Sequence, residues 1–421
     1  MKNKLALYGG PKTIKTKTSH FTWPPIDKKT EKEVVKQLYR NISIYDRSGI
    51  FKEFEDDFKK FYQRKYALLC NSGTTAIHSM FVAANFQPGD EVVCPAYTFF
   101  ATVTPLLFLG ANPVLCDIDE NGNISPEEIE KKITPKTKAV VITHMWGIPC
   151  QMDKIVKICR KHKLFLLEDC SHAHGAEYKG KRVGSFGDIS AWSIQGPKNV
   201  SGGEGGILTT NKKDFYFRSL LLGHYNKRCR QEIPKSNSLR KYAITGMGLK
   251  YRAHPLAVVI AQQTFKNLKR YLRNKRAFSQ RMIKALKKES GISFLPAFFD
   301  TKFNPAWYGF IFHYCSEELD NLPIEKFHQA LLAEGLSEAD RPGSTCPLNL
   351  LPLFQKPAEL FPLYQDKKYS FSYKVGDFPK AEKFYQEIIK LPVWAQAKDF
   401  NLVDLYIKGI KKVIKNYKEL L

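Results

Sequence analysis

The chain has 421 residues, 43% of them hydrophobic, and its 66 Lys plus Arg outweigh 41 Asp plus Glu for a formal charge of +25. That length holds one large and one smaller domain with sizeable cores, and the composition is that of an ordinary globular protein. No apolar run reaches the roughly 18 to 20 residues needed to span a bilayer, and the lysines are dispersed without a nucleic-acid motif, which points to a solvated surface that steers anionic small molecules. The basic start over residues 1–11 has no extended apolar stretch, so no signal peptide is expected and the expected location is cytoplasmic. Nine cysteines lack metal-ligand spacing. Cys70, Cys94 and Cys116 sit in apolar segments and are expected to be buried thiols.

In chain order, Tyr66–Cys70 reads as a strand, and Asn71-Ser72-Gly73 opens a helix over 74–84. A strand over 91–94, a helix near 98–109 and a strand over 113–116 follow. Strands are next expected over 139–142 and 164–167, with a basic-faced helix at 152–162 between them. Gly187–Ser193 and Gly206–Thr210 read as two further strands. Alternation of this density argues for an α/β fold with a mostly parallel sheet covered by helices, its site at the carboxyl ends of the strands. Past residue 255 the character changes: a long amphipathic helix from Pro255 to about Lys287 leads into a mixed α+β segment. The expected division is 1–255 for an N-terminal arm and large domain, and 256–421 for a linking helix and small domain.

The chemistry concentrates around Lys198. It lies in a glycine-rich turn between two apolar strands, about thirty residues after Phe165–Asp169, an apolar strand that ends in acid. An amine so held, with a carboxylate at a nearby strand end, is what pyridoxal 5'-phosphate requires: the amine forms the Schiff base, and the carboxylate keeps the pyridine nitrogen protonated. Partial burial of Lys198 would lower its pKa and favour the neutral amine. Small residues at 71–76 let the first helical amides approach a phosphate, with Thr74 or Thr75 adding a hydroxyl; a plain helix cap is the other reading. Phe99 can stack on a ring, and Phe100 or Tyr97 can fill the same role. His172 and His174 form a His-x-His pair without a third ligand, so no metal is expected; His172 is assigned to the cofactor's ring oxygen and His174 to packing.

These residues sit in segments with a wider resemblance: NSGTTAIH, PGDEVVCPAYTFFAT, LEDCSHAHGAEYKGKRVGSFGDISAWS, PKNVSGGEGGILTTN, GLKYRAHPLAVVIAQ and FPKAEKFYQEIIKLPVW. The set resembles the DegT/DnrJ family of sugar aminotransferases, which have the aspartate aminotransferase fold (fold type I). The resemblance implies Lys198 as the Schiff-base lysine and Asp169 as the partner of the pyridine nitrogen. It places His172 beside the cofactor, Gly73, Thr74, Thr75 and Ser193 at its phosphate, and Phe99 on its ring. It implies a homodimer with shared active sites, in which a partner's Asn from a Gly-x-Asn-Tyr-Arg motif completes the phosphate site. This chain has Lys250 in place of that Asn, a point charge that can still bind phosphate.

The expected activity follows from the resemblance. Glutamate or glutamine donates an amino group to a keto sugar, nucleotide-linked, in glycan or secondary-metabolite biosynthesis. Gln195 and the stretch 345–349 leave a keto-cyclitol or a small phosphorylated ketone as alternative acceptors, and Arg341 or His224 as contacts to donor or acceptor. A sugar dehydratase is the rival within the family, and the resemblance implies histidine in place of lysine there. A non-catalytic binding or regulatory protein that retains the fold is the rival from another class.

Overall fold

The computed structural model describes residues 4–16 and 19–421; the first three residues of the basic start lie outside the described residues. Its centre is a seven-stranded sheet built from β1 (Tyr66–Cys70), β2 (Glu91–Pro95), β3 (Asn112–Cys116), β4 (Thr137–Thr143), β5 (Phe165–Asp169), β6 (Ile189–Ser193) and β7 (Gly206–Thr210), in the order β1-β7-β6-β5-β4-β2-β3. Six strands run parallel, and β7 runs antiparallel between β1 and β6. The strands are mostly apolar because both faces are covered; β6 and β7 are buried at every residue. Among the described residues no helix is long and apolar enough to cross a membrane. The nine cysteines are free, and Cys70, Cys94 and Cys116 are buried as expected.

Helix α1 (Gly73–Ala84) follows β1 directly and lies against the sheet, burying Ala76, Ile77, Met80 and Phe81. Its start is a capping box: Ser72 Oγ accepts from the Thr75 amide, and Thr75 Oγ1 accepts from the Ser72 amide, each at 3.1 Å. Gly73 has no alternative at this point. A Cβ there would stand 2.5 Å from Ser193 Cβ, so only glycine lets the helix start approach the end of β6.

Two helical expectations are corrected. Over 98–109 the chain forms a short strand at Tyr97–Phe99, a tight turn at 100–102 and one helical turn at Thr104–Leu107. The run of aromatic and β-branched residues favours extended backbone and pairs with Thr345–Pro347, while Pro105 starts the helical turn anew. The long helix after 255 is two helices, α2 (Pro255–Lys266) and α3 (Leu268–Leu286). Asn267 interrupts them because its side-chain amide donates to the Gln263 carbonyl at 3.0 Å, competing with the backbone for that acceptor.

Beyond α3 a three-stranded sheet (Ile292–Ser293, Phe310–Tyr314 and Ile388–Leu391) packs with the helices at Ile324–Ala333 and Phe400–Lys415. Its apolar cluster holds Phe312, Trp394 and Tyr406, and also Leu5 and Ile14 from the N-terminal arm.

Candidate active site

The carboxyl ends of β1, β5 and β6 open into a cavity of about 410 Å3. Gly73 and Thr74 line it from the start of α1, where the first amides of a helix have no intrahelical acceptor. Ser193 lines it from the end of β6, and its amide is held by Ser171 Oγ at 3.1 Å. This is a concave, positively polarised corner of the kind that receives phosphate.

Asp169 ends β5 at the cavity floor and is 4% exposed. Its Oδ2 accepts from Thr102 Oγ1 at 2.7 Å and its Oδ1 from the Ser171 amide at 3.0 Å. Thr102 is linked in turn to Thr98 at 2.9 Å and to Thr143 at 3.2 Å. These bonds fix the carboxylate's orientation at the end of β5.

Lys198 faces the same cavity from the turn after β6. Its Nζ donates to the Tyr308 hydroxyl at 3.3 Å and lies 4.4 Å from that ring's centroid. Burial pulls the amine from its ordinary 10.5 down to about 8; Asp169 opposes this shift and the Lys390 cation adds to it. A substantial share of the amine is therefore neutral near pH 8, as a nucleophile requires. Trp23 Nε1 donates to the Lys198 carbonyl at 2.7 Å, fixing the backbone of the turn.

His172 stacks on Tyr308 with centroids 4.0 Å apart, and Trp146 lies beside both rings, 5.8 Å from His172 and 6.3 Å from Tyr308. Burial, with the Lys198 and Lys390 cations adding to it, holds His172 well below its ordinary pKa, so the ring is neutral. Its Nδ1 is buried without a hydrogen-bond partner. His174 is buried beside Phe58, away from the cavity, and burial lowers it to about 3. Among the described residues one trio of metal-type donors, His144, Glu168 and Cys170, lies together in the core. Hydrogen bonds account for its polar atoms: His144 Nε2 meets Glu168 Oε2 at 3.3 Å, His144 Nδ1 accepts from the Cys150 amide, and Glu168 Oε1 accepts from the Gly187 amide.

The structure thus brings Gly73, Thr74, Phe99, Asp169, His172, Ser193 and Lys198 around one cavity. Of the three candidate aromatics only Phe99 lines it; Tyr97 is fully buried, its hydroxyl accepting from Trp146 Nε1. Thr75 does not line it. Its hydroxyl is turned back to Asn71 Oδ1 at 2.7 Å and into the capping box, so the cap reading holds at that residue. Lys250 is exposed and does not line the cavity of its own chain. Nor do Arg341, which is bonded to the Gln386 carbonyl, or the buried His224. Thr102 and Tyr308 were not identified from sequence. An aromatic in the bend before an apolar strand and a threonine in a segment with helical spacing carry no signal of their own.

The family model described as the DegT/DnrJ/EryC1/StrS aminotransferase family matches residues 25–404. The spore coat polysaccharide biosynthesis protein SpsC of Bacillus subtilis is 29% identical over 95% of this chain and 98% of its own length. GDP-perosamine synthase of Escherichia coli O157:H7 is 40% identical over 45% of this chain and 52% of its own. Among solved structures, the aminotransferase from Psychrobacter cryohalolentis superposes with a TM-score of 0.80 at 26% identity, covering 94% of this chain and 99% of that one.

Proposed function

Since the chain belongs to the DegT/DnrJ/EryC1/StrS aminotransferase family, we propose that it is a pyridoxal phosphate-dependent transaminase that moves an amino group from glutamate or glutamine to a nucleotide-linked keto sugar. The observation that carries this reading is the Lys198 amine and the Asp169 carboxylate facing one cavity at the ends of adjacent strands. The relatives support the acceptor class: one is named for GDP-perosamine synthesis and one for spore coat polysaccharide biosynthesis. The presence of Lys198 speaks against the dehydratase alternative, for which the resemblance implies histidine.

The residues fit the cofactor. The unpartnered Nδ1 of His172 in the cavity wall is a polar atom awaiting a ligand. Gly73 lets the helix start close on Ser193, and Thr74 and Ser193 would hold the phosphate there. Phe99 would cover the ring, His172 would meet the ring oxygen, and Asp169 would hold the proton on the pyridine nitrogen. When bound, pyridoxal phosphate supplies an aldehyde that takes up an amine and a ring that accepts the electrons of a broken Cα–H bond.

The chain's own residues do the rest. Burial keeps Lys198 partly neutral, so its Nζ would be the amine that holds the cofactor's aldehyde and the base that takes a proton from the donor's α carbon. Tyr308 receives the hydrogen bond from that amine and so holds it over the cavity. The threonine hydroxyls behind Asp169 keep its carboxylate oriented toward the cavity floor. His172, neutral, stacked on Tyr308 and packed beside Trp146, is a rigid wall rather than a proton carrier.

A homodimer and the domain division at 255/256 belong to the same proposal. Exposed apolar residues on the 242–249 loop, Tyr242, Ile244, Met247 and Leu249, support a partner covering that loop beside Lys250. The separate apolar cluster around the three-stranded sheet supports a second domain. The test of function is incubation of the coenzyme-loaded protein with glutamate or glutamine, followed by assay of released keto acid and of the coenzyme's absorbance. Release in step with conversion to the amine form is expected; no change with either donor would contradict the proposal.

A further inference from the structure

Lys275 has no part in the amino-transfer steps, yet it lies at the junction of everything that holds Lys198. It is on α3, only 1% exposed, and no carboxylate among the described residues contributes to its charge state. A buried ammonium without a counter-ion is costly. Burial correspondingly pulls its amine from 10.5 down to about 7.

Its contacts are directional and converge on the site. Nζ donates to Asn199 Oδ1 at 2.7 Å and to the Trp307 carbonyl at 3.4 Å, and it lies 5.0 Å from the Trp23 ring centroid. Each partner connects to Lys198 or to the residue that its amine touches. Asn199 follows Lys198 in the chain, and its Nδ2 donates to the Ala306 carbonyl at 2.7 Å. Trp307 precedes Tyr308, whose hydroxyl receives the Lys198 amine. Trp23 holds the Lys198 carbonyl and packs edge-on against Tyr271, one turn before Lys275 on α3. The bond to Lys275 also settles which way the Asn199 amide faces, since its oxygen must point to the ammonium and its nitrogen to Ala306.

We infer that Lys275 is a positioning residue that ties the Lys198 turn to the 306–308 segment and so sets the contact between the Lys198 amine and the Tyr308 hydroxyl. This rests on Lys198 being the working amine. A lysine kept only for packing would need its methylene stem alone, and methionine would replace that stem without loss.

The experiment compares Lys275→Met, Lys275→Gln, Asn199→Ala and the Lys275→Met/Asn199→Ala pair with the parent, all loaded with coenzyme. In Lys275→Met, kcat should fall between about 10- and 100-fold, the cost of a small misplacement of a reacting group, while the donor KM stays within about twofold. The pH midpoint of the coenzyme's visible absorbance should shift, since it reports the setting of the Lys198 amine. Lys275→Gln, which can still donate to Asn199, should recover part of both. The paired variant should lose no more than the worse single one, as expected of residues acting through one contact. Parent-like kcat and midpoint in Lys275→Met, or fully multiplicative losses in the pair, would overturn the inference. If Lys275→Met does not fold, Asn199→Ala decides by the same two readouts, with parent-like values overturning it. Failure of the functional reading is distinguishable, because the parent itself would then carry no coenzyme on Lys198.

Discussion

Thr102 Oγ1 donates a 2.7 Å hydrogen bond to Oδ2 of Asp169, so the carboxylate at the end of β5 is held by a residue sixty-seven positions earlier in the chain. A hydrogen bond to a charged group contributes about 1.5 to 3 kcal/mol, and this one acts in a buried setting. Asp169→Asn removes the anion while keeping the shape. It should retain coenzyme but slow the donor half-reaction by at least about 100-fold, a loss typical of a removed electrostatic stabiliser. Thr102→Val should show a smaller loss of the same kind. Single-turnover absorbance with glutamate measures both, and parent-like turnover in Asp169→Asn would contradict the assignment.

Lys198 titrates near 8 instead of 10.5 because it is buried. The neutral amine is the reactive form, so covalent uptake of coenzyme by the coenzyme-free protein should accelerate as pH rises and level off above about 8. An unperturbed lysine would keep accelerating to about 10.4. Lys390→Met removes a cation that adds to the depression, and should move the levelling point upward. The stability sign follows from the same shift: between about 8 and 10.5 the unfolded chain binds a proton that the folded chain does not. The Lys198 contribution to stability therefore rises with pH across that window. Stopped-flow absorbance over a pH series checks the rate.

The buried pair of Arg228 and Glu55 ties the helix at Lys227–Glu232 to the helix at Gly49–Phe61. Arg228 makes two bonds to the Glu55 carboxylate at 2.8 and 2.9 Å, and Glu55 Oε1 also accepts from the Leu69 amide in β1. Arg228→Met should destabilise by roughly 3 kcal/mol, the low end for breaking a buried pair. Arg47 still contacts Glu55 at 3.0 Å in that variant. Urea unfolding reads the change, and an unchanged midpoint would show that the pair contributes nothing net.

Lys250 is exposed on its own chain. If it reaches the phosphate of a partner's site as a point charge, Lys250→Ala should raise the coenzyme Kd about tenfold or more. Added salt should narrow the gap between variant and parent. Equilibrium dialysis at two salt concentrations checks this; equal affinities would remove Lys250 from the site.

Much of the sheet was legible because its strands are short apolar runs separated by glycine, proline and polar turns, as at Glu91–Pro95 and Phe165–Asp169. Lys198 and Asp169 were legible because each is a charged residue out of character with an apolar setting. Thr102 and Tyr308 were not, since a hydroxyl or an aromatic is common in cores and only the folded chain shows where it points. At Thr75 the sequence left two readings open, because a hydroxyl two residues into a helix can serve a ligand or the cap, and here the cap takes it. The break at Asn267 depends on one side-chain bond to Gln263, which hydrophobic spacing does not register. Lys275 is one of many lysines in the sequence, and only its burial sets it apart.

The most direct measurement is borohydride reduction of the coenzyme-loaded protein, then digestion and mass spectrometry of every lysine-bearing peptide. A single stable adduct on Lys198, abolished together with the yellow colour in Lys198→Ala, is the result expected from the cavity's geometry. An adduct on any other lysine, or a protein that never takes up the coenzyme, would contradict it.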